Sequence, residues 1–155
     1  LAFGSLAFAL SQVVGRGAGA AISGGILFAG WILNGYAPSV PLFAPFAWLM
    51  GVPADDCLEV GRLLGTKTIF NEFLAYQDLG GMVKAGEIST RSAVLSTYAL
   101  CGFANFGSIG IQIGGLSALA PERRPDFVRL AFRAMIAGSL ACQLTACIVG
   151  VIGGF

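Results

Sequence analysis

Ser92–Pro121 reads SAVLSTYALCGFANFGSIGIQIGGLSALAP and carries no charged side chain from end to end. It is longer than the roughly 20 mainly apolar residues that cross a bilayer as a helix. Yet its middle holds Asn105, Ser108 and Gln112. Gly102, Gly107, Gly110, Gly114 and Gly115 lower its helix propensity locally. A plain lipid-facing helix has neither feature. The stretch predicts a broken transmembrane helix that presents polar side chains to a solute. Asn105 and Ser108 stand three apart, so one helical turn puts them on one side. Phe103 and Phe106 share that spacing on a neighbouring stripe.

The rest of the chain agrees with a membrane setting. Of its 155 residues 56% are hydrophobic and 11% charged, with a mean hydropathy of +0.82, where an ordinary soluble domain is about a quarter charged. Segments 1–15, 17–54, 92–121 and 134–155 are charge-free. All but the first reach the length of a span. The expected class is therefore an all-α integral membrane protein, one domain by length. The net charge of +1 says nothing of nucleic acid and no basic tract points to it, so no nucleic-acid partner is expected. There is no initiator Met and the chain starts inside an apolar run, so a piece of a longer chain is expected. Residues 1–15 lack the basic region of a signal peptide. Cys57, Cys101, Cys142 and Cys147 form no CxxC pair, and there is no His. No zinc or haem site is expected, and the cysteines read as small buried hydrophobes.

Taken in order, residues 1–50 read as transmembrane and interfacial helices. Arg16 marks a membrane boundary. The Gly- and Ala-rich segment 17–33 suits close helix packing, and 34–38 is a turn. Pro41 and Pro45, with Phe43, Phe46 and Trp48, predict a short aromatic helix near the headgroups over 39–50. Residues 51–90 read as a re-entrant hairpin and its connection. Pro53 suits a first helical turn, and Asp55, Asp56 and Glu59 suit its positive end. Segment 53–76 mixes Leu58, Leu63, Leu64, Ile69 and Phe73 with Arg62, Lys67, Asn71 and Glu72. Two short amphipathic helices folded at Gly65 fit it, and neither could span alone. A polar linker with two helices is the alternative. Residues 79–90 read as an exposed connection. Residues 91–155 hold the broken helix and a last span over 134–155. Arg123, Arg124, Arg129 and Arg133 place the intervening loop on the cytoplasmic side. The C-terminus is then expected outside.

The chemistry these residues support is recognition. Glu72 has apolar neighbours on both sides, and an intramembrane carboxylate is functional by default. A carboxylate can accept from two hydroxyls. Asn105 adds a donor and an acceptor, and Ser108 adds a rotatable hydroxyl. Together they suit a ribose or another neutral polyol. A salt bridge of Glu72 with Lys67 or Arg62 is the plainer alternative. For Asn105 and Ser108 it is interhelical hydrogen bonding. Enzymatic chemistry has no support. There is no His, no Gly-x-Ser-x-Gly elbow and no carboxylate pair in a charge-free segment. Asp55 and Asp56 read as a solvated helix start. Gly61, Gly65, Lys67 and Thr68 lack the spacing of a phosphate loop.

GTKTIFNEFLAY over 65–76, STYALCGFANFGSIGIQIGG over 96–115 and APERR over 120–124 resemble the concentrative nucleoside transporters. The resemblance covers roughly residues 41–155. It implies two inverted repeats, each with a re-entrant hairpin and a broken helix, of which this chain looks like the second, C-terminal half. It places Asn71 and Glu72 on the second hairpin, and Phe103, Asn105 and Ser108 in the second broken helix, as the nucleoside-binding residues. It further implies a homotrimer in the plasma or bacterial inner membrane, an elevator motion, and coupling to sodium or protons, with no other cofactor. The family's first hairpin, with its Gln-Thr-Glu motif, is not in this sequence, so purine against pyrimidine preference and the coupling ion stay open. Ala54 stands where many relatives have Trp after Gly-Val-Pro. The competing expectations are a membrane scaffold that binds no solute, and a channel.

Overall fold

The computed structural model describes residues 42–154. The readings made for 1–41 lie outside the described residues. Every regular element among the described residues is a helix. Helix α1 (Ala44–Leu49) has Pro45 in its first turn, where a missing N–H costs nothing. It is the short aromatic helix expected over 39–50. Gly51 then reverses the chain at φ +86°, a value that favours glycine. A 3₁₀ turn (Ala54–Asp56) leads into α2 (Cys57–Ile69), which is followed by α3 (Glu72–Ala85), α4 (Thr90–Leu100) and α5 (Phe106–Leu119). A second 3₁₀ turn (Pro121–Arg123) precedes α6 (Arg124–Ile152).

Three boundaries differ from the sequence reading. The hairpin does not fold at Gly65, because α2 runs straight through it, and Gly65 is buried. The fold comes at Phe70–Asn71. Asn71 is extended, and its Oδ1 accepts from the Leu74 N–H at 3.0 Å. An asparagine cap outcompetes continuation of the helix there, whereas a buried glycine costs only about 1 kcal/mol in a helix interior. Residues 79–85 are not a loop: α3 continues to Ala85 and stops at Gly86, which is left-handed at φ +71°. The hairpin thus fills almost all of 51–90. Finally, α6 starts ten residues before the expected span, taking Arg124, Arg129 and Arg133 into its first turns. Asp126 pairs there with Arg123 and Arg129 at 3.5 and 3.6 Å.

The helix expected to break within 92–121 does break, between Leu100 and Phe106, so Asn105 stands before the second helix rather than within a helical turn. Hairpin and broken helix share one core. Val60, Leu63 and Leu64 of α2 meet Ala75, Leu79 and Met82 of α3, Leu95, Ala99 and Leu100 of α4, and Ala146 of α6. Both α4 and α5 pack along α6. Helix α1 lies so close on α2 that a Cβ on Gly61 would stand 2.8 Å from the Ala44 backbone nitrogen. Backbone cannot swing aside as a side chain can. Gly61→Ala should therefore destabilise the protein by about 1–3 kcal/mol, read as a lowered melting temperature. An unchanged value would contradict this packing.

Two polar staples hold the far end. Arg91 donates to the Gly51 carbonyl at 2.9 Å and to the Gly150 carbonyl, in the last turn of α6, at 3.0 Å. Asp56, expected to be a solvated helix start, instead accepts from the Ser89 N–H at 3.2 Å and from the Ser89 and Ser92 hydroxyls, both at 2.6 Å. Partial burial pushes its carboxyl up, but those hydrogen bonds outweigh it and hold the group below the ordinary 3.8. Because the folded form is depressed, the stabilisation is complete above 3.8 and is lost as pH falls through the lower folded value. Asp56→Asn should lower the melting temperature at neutral pH, and the gap to wild type should close in acid below that window. A gap that stays constant with pH would rule out this linkage.

Candidate functional site

The start of α2 meets the start of α4 through Asp56, and the end of α2 meets the end of α4 through Lys67, whose Nζ donates to the Ala99 carbonyl at 2.8 Å. The two helices therefore run side by side, and the hairpin tip lies level with the break at residues 101–105. This places Glu72, the first residue of α3, beside Asn105, the residue that caps α5.

The geometry at the tip is specific. Asn105 is extended at φ −139° and ψ 167°, so it is a cap and not part of a helical turn. Its Oδ1 accepts from the Ser108 N–H at 2.8 Å and from the Ser108 hydroxyl at 3.1 Å. Its Nδ2 donates to Glu72 Oε2 at 3.1 Å. Asn105 is 4% exposed, so its groups need these partners. Asn105 and Ser108 do come together, but through the cap and not through a shared helix face. The N-terminal ends of α3 and α5 both bear on the Glu72 carboxylate, and each carries a partial positive charge that favours an anion.

The salt-bridge alternative for Glu72 does not occur. Arg62 binds Glu59 at 3.1 Å and Asp78 at 3.2 Å, and Lys67 binds the Ala99 carbonyl. Among the described residues, no group donates to the second carboxylate oxygen of Glu72. That oxygen, the second N–H of Asn105 Nδ2 and the lone pairs of Ser108 Oγ make a small set of acceptors with one donor. Such a set can hold vicinal hydroxyls. It has no nucleophile paired with a base.

The other expected residues fall differently. Asn71 uses its carbonyl oxygen to cap α3. Phe103 lies in the break with 76% of its surface exposed. Phe103, Asn105 and Ser108 line an open, largely apolar cleft of about 560 Å³ between α5 and α6, which Gln112 also lines and which Asn71 and Glu72 do not reach. The site thus has a polar side at the hairpin tip and an apolar side in the cleft, with Asn105 shared between them. Two residues outside the expected set, Lys67 and Tyr76, tie the hairpin to the end of α4. Tyr76 donates its hydroxyl to the Thr97 carbonyl at 2.6 Å. For Lys67 a signal existed: it follows Val60, Leu63 and Leu64 at seven, four and three residues, in register with the buried stripe of α2.

Known proteins resemble this chain in sequence and fold. Residues 39–150 match the family described as Na+ dependent nucleoside transporter C-terminus. Solute carrier family 28 member 3 of Eptatretus stoutii is 52% identical over 121 residues, which are 70% of this chain and 18% of that protein. Sodium/nucleoside cotransporter 1 of Rattus norvegicus is 47% identical over 121 residues, 70% of this chain and 19% of that protein. The match thus takes in under a fifth of the length of either relative. Among solved structures, CNTnw in an inward-facing substrate-bound state superposes with a TM-score of 0.72 at 34% identity, covering 93% of this chain and 41% of that one. With fold and sequence in agreement over the hairpin and the broken helix, the chain belongs to the Na+ dependent nucleoside transporter family, matching its C-terminal part.

Proposed function

We propose that this chain is the ribose-binding half of an ion-coupled nucleoside symporter. The observation that carries the reading is the 3.1 Å hydrogen bond from Asn105 Nδ2 to Glu72 Oε2 at the meeting point of two helix starts. One carboxylate oxygen is left to accept from a ribose hydroxyl, and charge-assisted bonds of this kind are about twice as strong as neutral ones. The names of the relatives supply the nucleoside class and favour sodium over protons as the coupling ion.

Membrane insertion follows the helix lengths. Helices α2 and α3 have 13 and 14 residues, about 20 Å each at 1.5 Å per residue, against a hydrocarbon core of about 30 Å. Neither crosses alone, which supports a re-entrant hairpin. Pro121–Ile152 is long and apolar enough to cross, with a mean hydropathy of 2.0 over its best window. Capped helix ends at membrane depth are tolerated where they line a wet cavity. A complete transporter would pair this half with a second hairpin and broken helix, hold the nucleoside between them, and work as a homotrimer by an elevator motion, its C-terminus outside the cytoplasm.

The test uses the full-length protein in proteoliposomes. An imposed inward sodium gradient should drive uridine or adenosine above its external concentration, and dissipating the gradient should stop accumulation. Uptake that only equilibrates would indicate a channel. Neither uptake nor thermal stabilisation by nucleosides would leave a scaffold.

A further inference from the structure

Lys67 is 2% exposed, on the apolar stripe of α2, and no described carboxylate pairs with it. A buried ammonium is costly unless something compensates it. Here the compensation is the end of a helix. The last four carbonyls of α4 have no partner within the helix and carry the negative end of its dipole. Each finds a donor: Tyr76 Oη at 2.6 Å for Thr97, the Cys101 N–H at 3.3 Å for Tyr98, Lys67 Nζ at 2.8 Å for Ala99, and the Gly102 N–H at 2.8 Å for Leu100. Only Lys67 brings a full charge. In transporters built on discontinuous helices, half-helix C-terminal ends and unwound carbonyls coordinate cations. Here the chain puts its own cation there.

We propose that the end of α4 is a small-cation site filled by Lys67, and that Lys67 is a positioning residue for the Glu72–Asn105 pair. The tip of the hairpin carries two opposite charges five residues apart, Lys67 and Glu72. Lys67 holds the negative end of α4, and Glu72 holds the positive start of α5 through its cap. One hairpin thereby clamps both sides of the break. With Lys67 shortened, the vacated position accepts a monovalent cation of ammonium type. The positioning role rests on the nucleoside reading above, whereas the cation site does not.

The test uses purified full-length protein carrying Lys67→Ala or Lys67→Met. Melting temperature is first measured without nucleoside against ethylammonium chloride, with choline chloride as the control for ionic strength. Lys67→Ala should be stabilised saturably by ethylammonium, as mass action requires. Wild type and Lys67→Met, whose apolar chain fills the space, should not respond. Uptake should fall about tenfold or more in Lys67→Met, the effect of one lost charged hydrogen bond, and ethylammonium should restore it in Lys67→Ala. No ethylammonium response in Lys67→Ala, or wild-type uptake by Lys67→Met, overturns the proposal. If Lys67→Ala is recovered folded only when extracted in ethylammonium, the site is supported, and failure to recover it overturns the site. If wild type itself takes up no nucleoside, the nucleoside reading fails while the melting response still decides the cation site.

Discussion

On the proposed function, replacing Glu72 by glutamine in the full-length protein is expected to abolish saturable nucleoside uptake while leaving the protein folded. The two side chains have the same shape, so the effect isolates charge and hydrogen-bond polarity. Asn105 Nδ2 is a donor and needs an acceptor at 3.1 Å. If glutamine turns its oxygen there, its NH₂ faces the solute and cannot accept a hydroxyl. If it turns the other way, two donors collide. In either orientation the site loses an acceptor and all of its negative charge. Hydrogen bonds to charged groups contribute about 1.5–3 kcal/mol each. The one lost bond to a ribose hydroxyl corresponds to about 10- to 100-fold in affinity. The fold loses only the favourable placement of a carboxylate at the start of α3, about 0.3–1 kcal/mol. Nucleoside-induced thermal stabilisation and uptake should vanish together while the ligand-free melting temperature stays near wild type. Normal uptake by Glu72→Gln would remove Glu72 from the site.

Asn105 caps α5 and bonds Glu72 of the proposed site, and two substitutions should separate these roles. Asn105→Ala removes the cap of α5, typically about 1 kcal/mol, together with a charged hydrogen bond worth about 1.5–3 kcal/mol. It should lower the melting temperature and eliminate uptake. Asn105→Asp keeps an oxygen for the Ser108 N–H and caps as well as asparagine does. However, it replaces the donor to Glu72 with a second carboxylate oxygen. The aspartate variant should regain most of the cap stability and still fail to transport. Transport by Asn105→Asp at the wild-type rate would show that the donor to Glu72 is dispensable.

Much of this was legible in the chain. Residues 92–121 declare a broken helix because charge is excluded, glycines are crowded, and polar side chains stand in the middle; that Asn105 caps the restart was not read from the sequence. The hairpin was legible as two helices too short to span, since polar and apolar residues alternate at helical spacing from Leu58 to Leu74. Its turning point was not. Gly65 is the stronger local breaker, but a glycine inside a packed helix is tolerated, whereas Asn71 gains a cap bond that Gly65 cannot make. The continuation of α3 beyond Leu79 was hidden for a similar reason. Gly80 and Gly81 weaken a helix, and burial of Leu79 and Met82 overrides them.

By itself the sequence determined the all-helical class of the protein and the stretch that breaks, and it singled out Glu72, Asn105 and Ser108 as candidate polar groups. All of these follow from local chemistry: which residues tolerate a bilayer, which weaken a helix, and which leave a charge with apolar neighbours. Only the tertiary structure decided how they are used. Asn105 reaches Glu72 across 33 positions of sequence, and Lys67 reaches Ala99 across 32. Those pairings are set by α2 and α4 lying side by side, with Asp56 joining their starts. No local pattern encodes that register. It comes from packing Val60, Leu63 and Leu64 against Leu95, Ala99 and Leu100, which brings the hairpin tip level with the break and gives Lys67 and Glu72 each a helix end to meet.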